Sequence, residues 1–218
     1  MDLDFKLKHS PQTFFDKNFI DDTSDLKCFV ECSKLTGWKK NNVQVGTSDY
    51  KLNRETIVFV DADVMNKLKT DPKNFKVPAI WGKDVTVIEF PPQLRLIKER
   101  IENRTGWKYN IALGNRYLTG KDKIAFHSDN EEFGNTQSIA SLSLGVPRQF
   151  SFIDKNVGTK QTLTLTNGSL LFMGPNCQEN YIHGMFPEKI VDDPIFGTTR
   201  INVTFRVWNY KTSETNNQ

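Results

Sequence analysis

Cysteine is scarce in this chain of 218 residues. The three present, Cys28, Cys32 and Cys177, form an odd and sparse set, which excludes a disulfide framework and points to a reducing compartment. The Cys28/Cys32 spacing resembles half of a metal site. No second Cys/His pair accompanies it, however, and both residues fall in a helix-like segment, so core packing is expected. Long apolar runs are missing too. None approaches the roughly 18 residues of a membrane span, so no membrane association is expected. The opening MDLDFKLKHS lacks the basic flank and apolar stretch of a signal peptide, which predicts an intracellular protein of the cytoplasm or nucleus. Charge of one sign is not dominant either. The 29 Lys and Arg residues against 26 Asp and Glu give a net +3, which permits a nucleic-acid partner without requiring one. There is no internal repeat or low-complexity tract, and a monomer is expected.

The 37% hydrophobic content suffices for one compact domain. Within it, residues 1–84 read as an N-terminal helical and lid region, 85–210 as a β core and 211–218 as a polar, frayed tail. Residues 22–35 place Leu26, Phe29, Val30 and Leu35 near helical spacing, with Asp22 or Thr23 available as cap. From Gly37 to Asp84 the pattern is mixed: loops, the short run TIVFV and a short helix around VMNKLK. A second helix is predicted over 92–104. There Leu94, Ile97 and Ile101 align, Pro91 and Pro92 stand at the entrance and Gly106 just past the exit, and the charged residues form a solvated face. Beyond it KYNIALGNRY, SIASLSLG, RQFSFI, QTLTLT, SLLFMG and TRINVTFRVW read as strands. The fold class is therefore mainly β, a sandwich or barrel carried by an N-terminal α layer.

Histidine is as rare as cysteine, which draws attention to AFHSDNEEFGNTQS at 125–138. His127 and Asp129 are two apart, so in an extended segment they project from one face. The only other histidine outside the N-terminal segment is His183. Two imidazoles and a carboxylate form a facial triad suited to non-heme Fe(II), which leaves positions open for a cosubstrate and O2. In TRINVTFRVW, Ile201, Val203, Phe205 and Val207 share one face and Arg200, Asn202, Thr204 and Arg206 the other. Inside a barrel the polar face would line a pocket. The two arginines, with backbones about 20 Å apart, would lean together to grip both ends of a short dicarboxylate of 2-oxoglutarate shape. Asn115 and Tyr117 in LGNRY share a face and would add neutral hydrogen bonds.

The segments NIALGNRYLTGKDKIAFHSDNEE, SIASLSLGVPRQFSF and GSLLFMG, the lone His183 and RINVTFR together resemble the AlkB-type Fe(II)/2-oxoglutarate-dependent dioxygenases, in the same order and at similar spacing. The resemblance covers residues 75 to 208. It implies a double-stranded β-helix (jelly-roll) core, with iron held by His127, Asp129 and His183. It further implies 2-oxoglutarate bound by Asn115, Tyr117, Arg200, Asn202, Thr204 and Arg206. The activity implied is oxidative demethylation of N-alkylated bases in DNA or RNA, in which 2-oxoglutarate and O2 are consumed and formaldehyde is released.

For substrate contacts the resemblance implies Glu131, at an acidic position that reaches the damaged base, and Trp81, where the family places a gripping aromatic. Arg54 and Phe59 lie in a stretch, RETIVF, loosely similar to a nucleic-acid-contacting segment, and Arg148 matches a basic family position supporting substrate or structure. Trp38, with Lys39 and Lys40, could reach a strand and its phosphates. Two other readings stay open. In one, the same chemistry serves a protein or small-molecule substrate, which only the lid segments distinguish. A non-catalytic binding module would instead carry a damaged triad or clamp, and neither is damaged here.

Overall fold

The alternation of β13 (Arg200–Val207) organises the molecule, because each face of this strand is covered by something different. The computed structural model describes all residues except 1–4, 46, 74, 76, 78–80, 83, 131–133 and 209–218. β13 is the middle strand of a seven-stranded sheet. Its neighbours run β1 (Phe14–Asp16), β11 (Leu170–Met173) and β8 (Asn135–Gly145) on one side, and β6 (Ile111–Tyr117), β4 (Glu55–Val60) and β5 (Val87–Glu89) on the other. Only the β4–β5 pairing is parallel. A second sheet orders β10 (Lys160–Leu165), β9 (Arg148–Asp154), β12 (Tyr181–Met185) and β7 (Ile124–His127). A hairpin of β2 (Asn42–Val45) and β3 (Ser48–Lys51) stands apart from both. β1 and β4 precede residue 84 yet belong to the large sheet, so the N-terminal region and the core share one sheet.

The apolar face of β13 presents Ile201, Val203 and Phe205, all fully buried, to helices α1 (Asp22–Ser33) and α3 (Pro92–Thr105). Phe205 stacks on Phe90 with centroids 5.9 Å apart. The opposite face of the sheet looks toward the smaller sheet. There Ile139, Phe152, Leu163, Leu171 and Tyr181 close one end of the sandwich, leaving the other end for a cavity. The remaining helices are α2 (Ala62–Thr70), in the segment expected from VMNKLK, and the single turn α4 (Cys177–Asn180).

Both long helices form where predicted, with differences in which residues they bury. Asp21, not Asp22 or Thr23, caps α1 by accepting the Ser24 N–H at 2.9 Å. The buried stripe is Asp25, Cys28, Phe29 and Cys32, while Leu26 and Val30 are each 37% exposed. The cysteines thus pack in the core, their sulfurs 4.0 Å apart, and their mutual contact together with burial pushes the Cys28 thiol far up. α3 starts at Pro92 and stops where Gly106 takes φ 78°, a left-handed turn suited to glycine. Its charged face is not wholly solvated. Lys98 and Glu102 are buried and paired at 2.9 Å; Lys98 also reaches Asp61 at 3.3 Å, and Glu102 accepts the Tyr109 N–H at 3.0 Å.

Candidate active site

His127 ends β7 and His183 is its direct cross-strand partner on β12, so pairing alone sets the two imidazoles side by side, 4.7 Å between ring centroids. Asp129 follows two residues beyond β7. Its Oδ1 lies 3.5 Å from Nε2 of His127 and its Oδ2 lies 3.8 Å from Nε2 of His183. One ligand atom from each residue falls within 4.8 Å of the others, the only such metal-capable cluster among the described residues. Nδ1 of His127 lies 2.8 Å from the Ala125 carbonyl. A carbonyl only accepts, so Nδ1 donates there, and Nε2 is the ring nitrogen turned toward Asp129.

Electrostatics keep these ligands ready. Burial would raise the Asp129 carboxyl, but the Arg206 guanidinium 2.5 Å away outweighs it and holds the group ionised, well below the usual carboxylate range. Burial is also the main influence on His183, pushed down to about 3, so its imidazole is neutral. Phe150 of β9 stacks on the His183 ring at 5.5 Å and fixes its plane.

The cluster faces a cavity of about 440 Å³ between the two sheets. The polar face of β13 lines it with Arg200, Asn202, Thr204 and Arg206, joined from β6 by Asn115 and Tyr117. All six residues expected to hold the dicarboxylate thus share this cavity. Ser143 of β8 accepts from Nη2 of Arg200 at 3.0 Å, and Ser141 accepts from Nδ2 of Asn202 at 2.7 Å. Burial lowers Arg200 to about 10, which leaves it charged at neutral pH. Nε of Arg200 and Nη1 of Arg206 are buried without a hydrogen-bond partner. Unsatisfied buried guanidinium donors are costly, and an anion with a carboxylate at each end fits them. The residues present therefore suit both a divalent metal and a short dicarboxylate.

The substrate candidates separate. Trp81 lines the cavity at 5% exposure, its carbonyl accepting from the Thr56 hydroxyl at 3.2 Å. Arg54 lines it too and donates from Nε to Oδ1 of Asn115 at 2.6 Å. Phe59 does not: it is fully buried against Phe90 on the helix side of the large sheet. Alternation accounts for this, since Arg54 and Phe59 are five apart in extended chain and take opposite faces. Arg148 is also absent from the cavity lining, its side chain 1% exposed and engaged by Glu188 and loop carbonyls. Trp38 is absent from the cavity lining; it packs in the helix-side core, its indole N–H donating to the Cys32 carbonyl at 2.9 Å. Lys39 and Lys40 are exposed. Glu131 lies outside the described residues.

Some contacts were not anticipated. Oε1 of Gln178 accepts the Asp129 N–H at 2.9 Å, and the Ser128 hydroxyl donates to the Tyr181 carbonyl at 2.8 Å, so α4 and β12 hold the metal-facing segment from behind. Ser141 and Ser143, which accept from Asn202 and Arg200, do carry a sequence signal: two serines spaced by two in the apolar half of β8.

A jelly-roll of this build with a His-Asp-His cluster opposite two arginines defines an iron- and 2-oxoglutarate-dependent oxygenase. Residues 12–206 match the 2OG-Fe(II) oxygenase superfamily, and the chain belongs to it. Within that superfamily it is AlkB-type. It is 34% identical over 134 residues to the DNA oxidative demethylase ALKBH2 of Mus musculus, covering 57% of this chain and 54% of that protein. It is likewise 34% identical over 125 residues to the alpha-ketoglutarate-dependent dioxygenase alkB homolog 3 of Homo sapiens, covering 53% and 42%. The chain thus spans about half the length of these mammalian relatives. An uncharacterized protein, R406, of Acanthamoeba polyphaga mimivirus is 28% identical over 163 residues, 73% of this chain and 83% of that protein. The solved structure of OsALKBH1 superposes with a TM-score of 0.64 over 93% of this chain and all of that one; at 19% identity the likeness is one of fold. The enzyme's cofactor and cosubstrates are those of the family, Fe(II), 2-oxoglutarate and O2. No helix among the described residues is long and apolar enough to cross a membrane.

Proposed function

We propose that the chain removes N-alkyl groups from nucleobases of DNA or RNA by oxidative demethylation. The observation that carries this reading is the His127–Asp129–His183 cluster set in one cavity with two arginines whose buried donors lack partners. The nucleobase comes from the relatives, named as a DNA oxidative demethylase and an alkB homolog. In this reading His127, Asp129 and His183 hold the iron, while Arg200, Asn202, Thr204, Arg206, Asn115 and Tyr117 hold 2-oxoglutarate. When bound, metal and cosubstrate supply the O2-dependent oxidation of the alkyl carbon.

The chain's own residues do the rest. Asp129 stays ionised and His183 neutral, so both present lone pairs rather than protons. The apolar wall of Leu113, Ile124, Phe150, Met173 and Met185 excludes water from the reacting carbon. Trp81 and Arg54 both line the cavity, the one with a flat ring for an extruded base and the other with a charge suited to the strand. Glu131 would favour a base made cationic by ring alkylation. Once hydroxylated, an N-methyl group leaves as formaldehyde and the base is restored.

The test is mass spectrometry of formaldehyde and repaired base after incubation with Fe(II), ascorbate, 2-oxoglutarate and oligonucleotides carrying 1-methyladenine or 3-methylcytosine. Repair that disappears in His127→Ala supports the reading. Succinate formed without repair of either lesion, in single or double strands, overturns it.

A further inference from the structure

Arg148 opens β9, the strand that pairs with β12, and its guanidinium is wholly committed to protein. Nε donates to Oε1 of Glu188 at 2.6 Å, Nη2 to the carbonyls of Asp122 and Phe186 at 3.0 Å each, and the terminal nitrogens reach the carbonyls of Thr119 and Gly120 at 3.5 Å. These acceptors lie on two loops, one leaving β6 after Tyr117 and one leaving β12 after Met185. The loops interlock directly as well. The Glu188 N–H donates to the Gly120 carbonyl at 2.9 Å, and a Cβ on Gly120 would sit 1.9 Å from the Glu188 carbonyl oxygen, so only glycine permits the approach.

This knot adjoins Tyr117, which lines the cavity. The Arg148 Cζ is 6.0 Å from the Tyr117 ring centroid, and the Arg200 Cζ is 5.4 Å from the same ring. Both guanidiniums thus lie against one ring, but only that of Arg200 lines the cavity. Their charges are treated differently. Glu188 neutralises Arg148, whereas Arg200 has no carboxylate partner among the described residues and keeps Nε unpaired.

We propose that Arg148 is a positioning residue for the cosubstrate: by binding Glu188 and the two loops it fixes Tyr117 and leaves the charge of Arg200 for the carboxylate of 2-oxoglutarate. The proposal rests on the reading that Arg200 and Tyr117 hold that carboxylate. Arg148 never touches the ligand. Loss of its guanidinium frees Glu188 to pair with a neighbouring cation and lets the end of β6 move, and both weaken the grip on the dianion.

The experiment is calorimetric titration of the Mn(II)-loaded protein with 2-oxoglutarate, beside a separate Mn(II) titration, for wild type, Arg148→Lys, Arg148→Met, Glu188→Gln and Arg200→Met. Arg148→Met is expected to weaken 2-oxoglutarate by about 10-fold or more, a supporting-residue effect, while Mn(II) affinity stays within about twofold. Arg148→Lys, which keeps the charge but not the fork, is expected to fall between. Unchanged 2-oxoglutarate affinity in folded Arg148→Met overturns the proposal, and so does a parallel loss of Mn(II) affinity, the mark of general loosening. If Arg148→Met does not fold, Glu188→Gln decides: a several-fold loss for 2-oxoglutarate alone supports the role, and none overturns it. Arg200→Met keeps the two readings apart, because wild-type affinity in that variant would sink the cosubstrate assignment itself.

Discussion

Arg206 places a guanidinium nitrogen 2.5 Å from Oδ1 of Asp129, so the last arginine of the β13 pocket face grips a ligand of the metal cluster. The other end of that face carries Arg200, beside Tyr117. A single strand thus runs from the His-Asp-His cluster to the Arg200 end of the cavity, and Arg206 faces both, one nitrogen on Asp129 and Nη1 unpartnered.

Removing Arg206 exposes this double duty. In Arg206→Met the burial of Asp129 is no longer opposed by the guanidinium, so its carboxyl rises and protons compete with metal. Mn(II) affinity is expected to fall by about 10- to 100-fold and to weaken further from pH 8 to pH 6. A pH-independent affinity equal to wild type would refute the assignment.

His183 gives metal-free protein a second acid sensitivity. Burial lowers its folded pKa to about 3 from an ordinary 6.5, so between those values the unfolded chain binds a proton that the folded chain refuses. This contribution to stability is complete above about pH 6.5 and is lost as pH falls toward 3, at up to about 1.4 kcal/mol per pH unit. Urea unfolding at pH 4, 5.5 and 7 should show the decline, shallower in His183→Gln. Parallel slopes in the two proteins would count against it.

The fold and the cavity were legible in the sequence where period and chemistry coincide. β13 shows this best: one face is apolar because helices cover it, and the other is charged because a cavity lies beneath. That His127 and Asp129 lie together was legible for a similar reason, two residues spaced by two that the chain turns toward His183. Helix faces were less so. Leu26 and Val30 look like core and are half exposed, whereas Lys98 is buried because Asp61 and Glu102 come to meet it, one from outside the helix. Phe59 reads as a plausible contact until the strand's alternation sends it to the other side of the sheet. Arg148 has the composition of a ligand-binding residue, but its partners are loop carbonyls from residues 119 to 122 and 186, which no local pattern brings together.

Glu102 tests the buried pairs on α3. It accepts from Lys98, Lys108 and the Tyr109 N–H, and of these only Lys108 is well exposed. Glu102→Ala leaves Lys98 and the Tyr109 N–H underpaired and is expected to cost about 3 kcal/mol in chemical denaturation, with Mn(II) affinity unchanged. A loss below about 1 kcal/mol, the range of exposed pairs, would place this network at the surface in energetic terms.

Gln178 acts on the metal cluster from behind. It follows Asn176, which takes a left-handed φ of 65°, and the turn delivers its carboxamide to the Asp129 N–H at 2.9 Å. The same carboxamide donates toward the Met173 sulfur at 3.5 Å, so both of its ends are engaged and its orientation is fixed. Asp129 lies beyond the last ladder pair of β7, so sheet pairing does not hold its backbone, and Gln178 substitutes for the missing strand partner. Gln178→Leu fills similar volume but takes the acceptor from the half-buried Asp129 N–H, and is expected to weaken Mn(II) by about 10-fold with a small loss of thermal stability. Gln178→Glu retains an acceptor, so it should keep more of the affinity than Leu does. If Leu and Glu lower the affinity equally, the hydrogen bond to Asp129 is not what matters, and volume or charge at α4 must account for the effect.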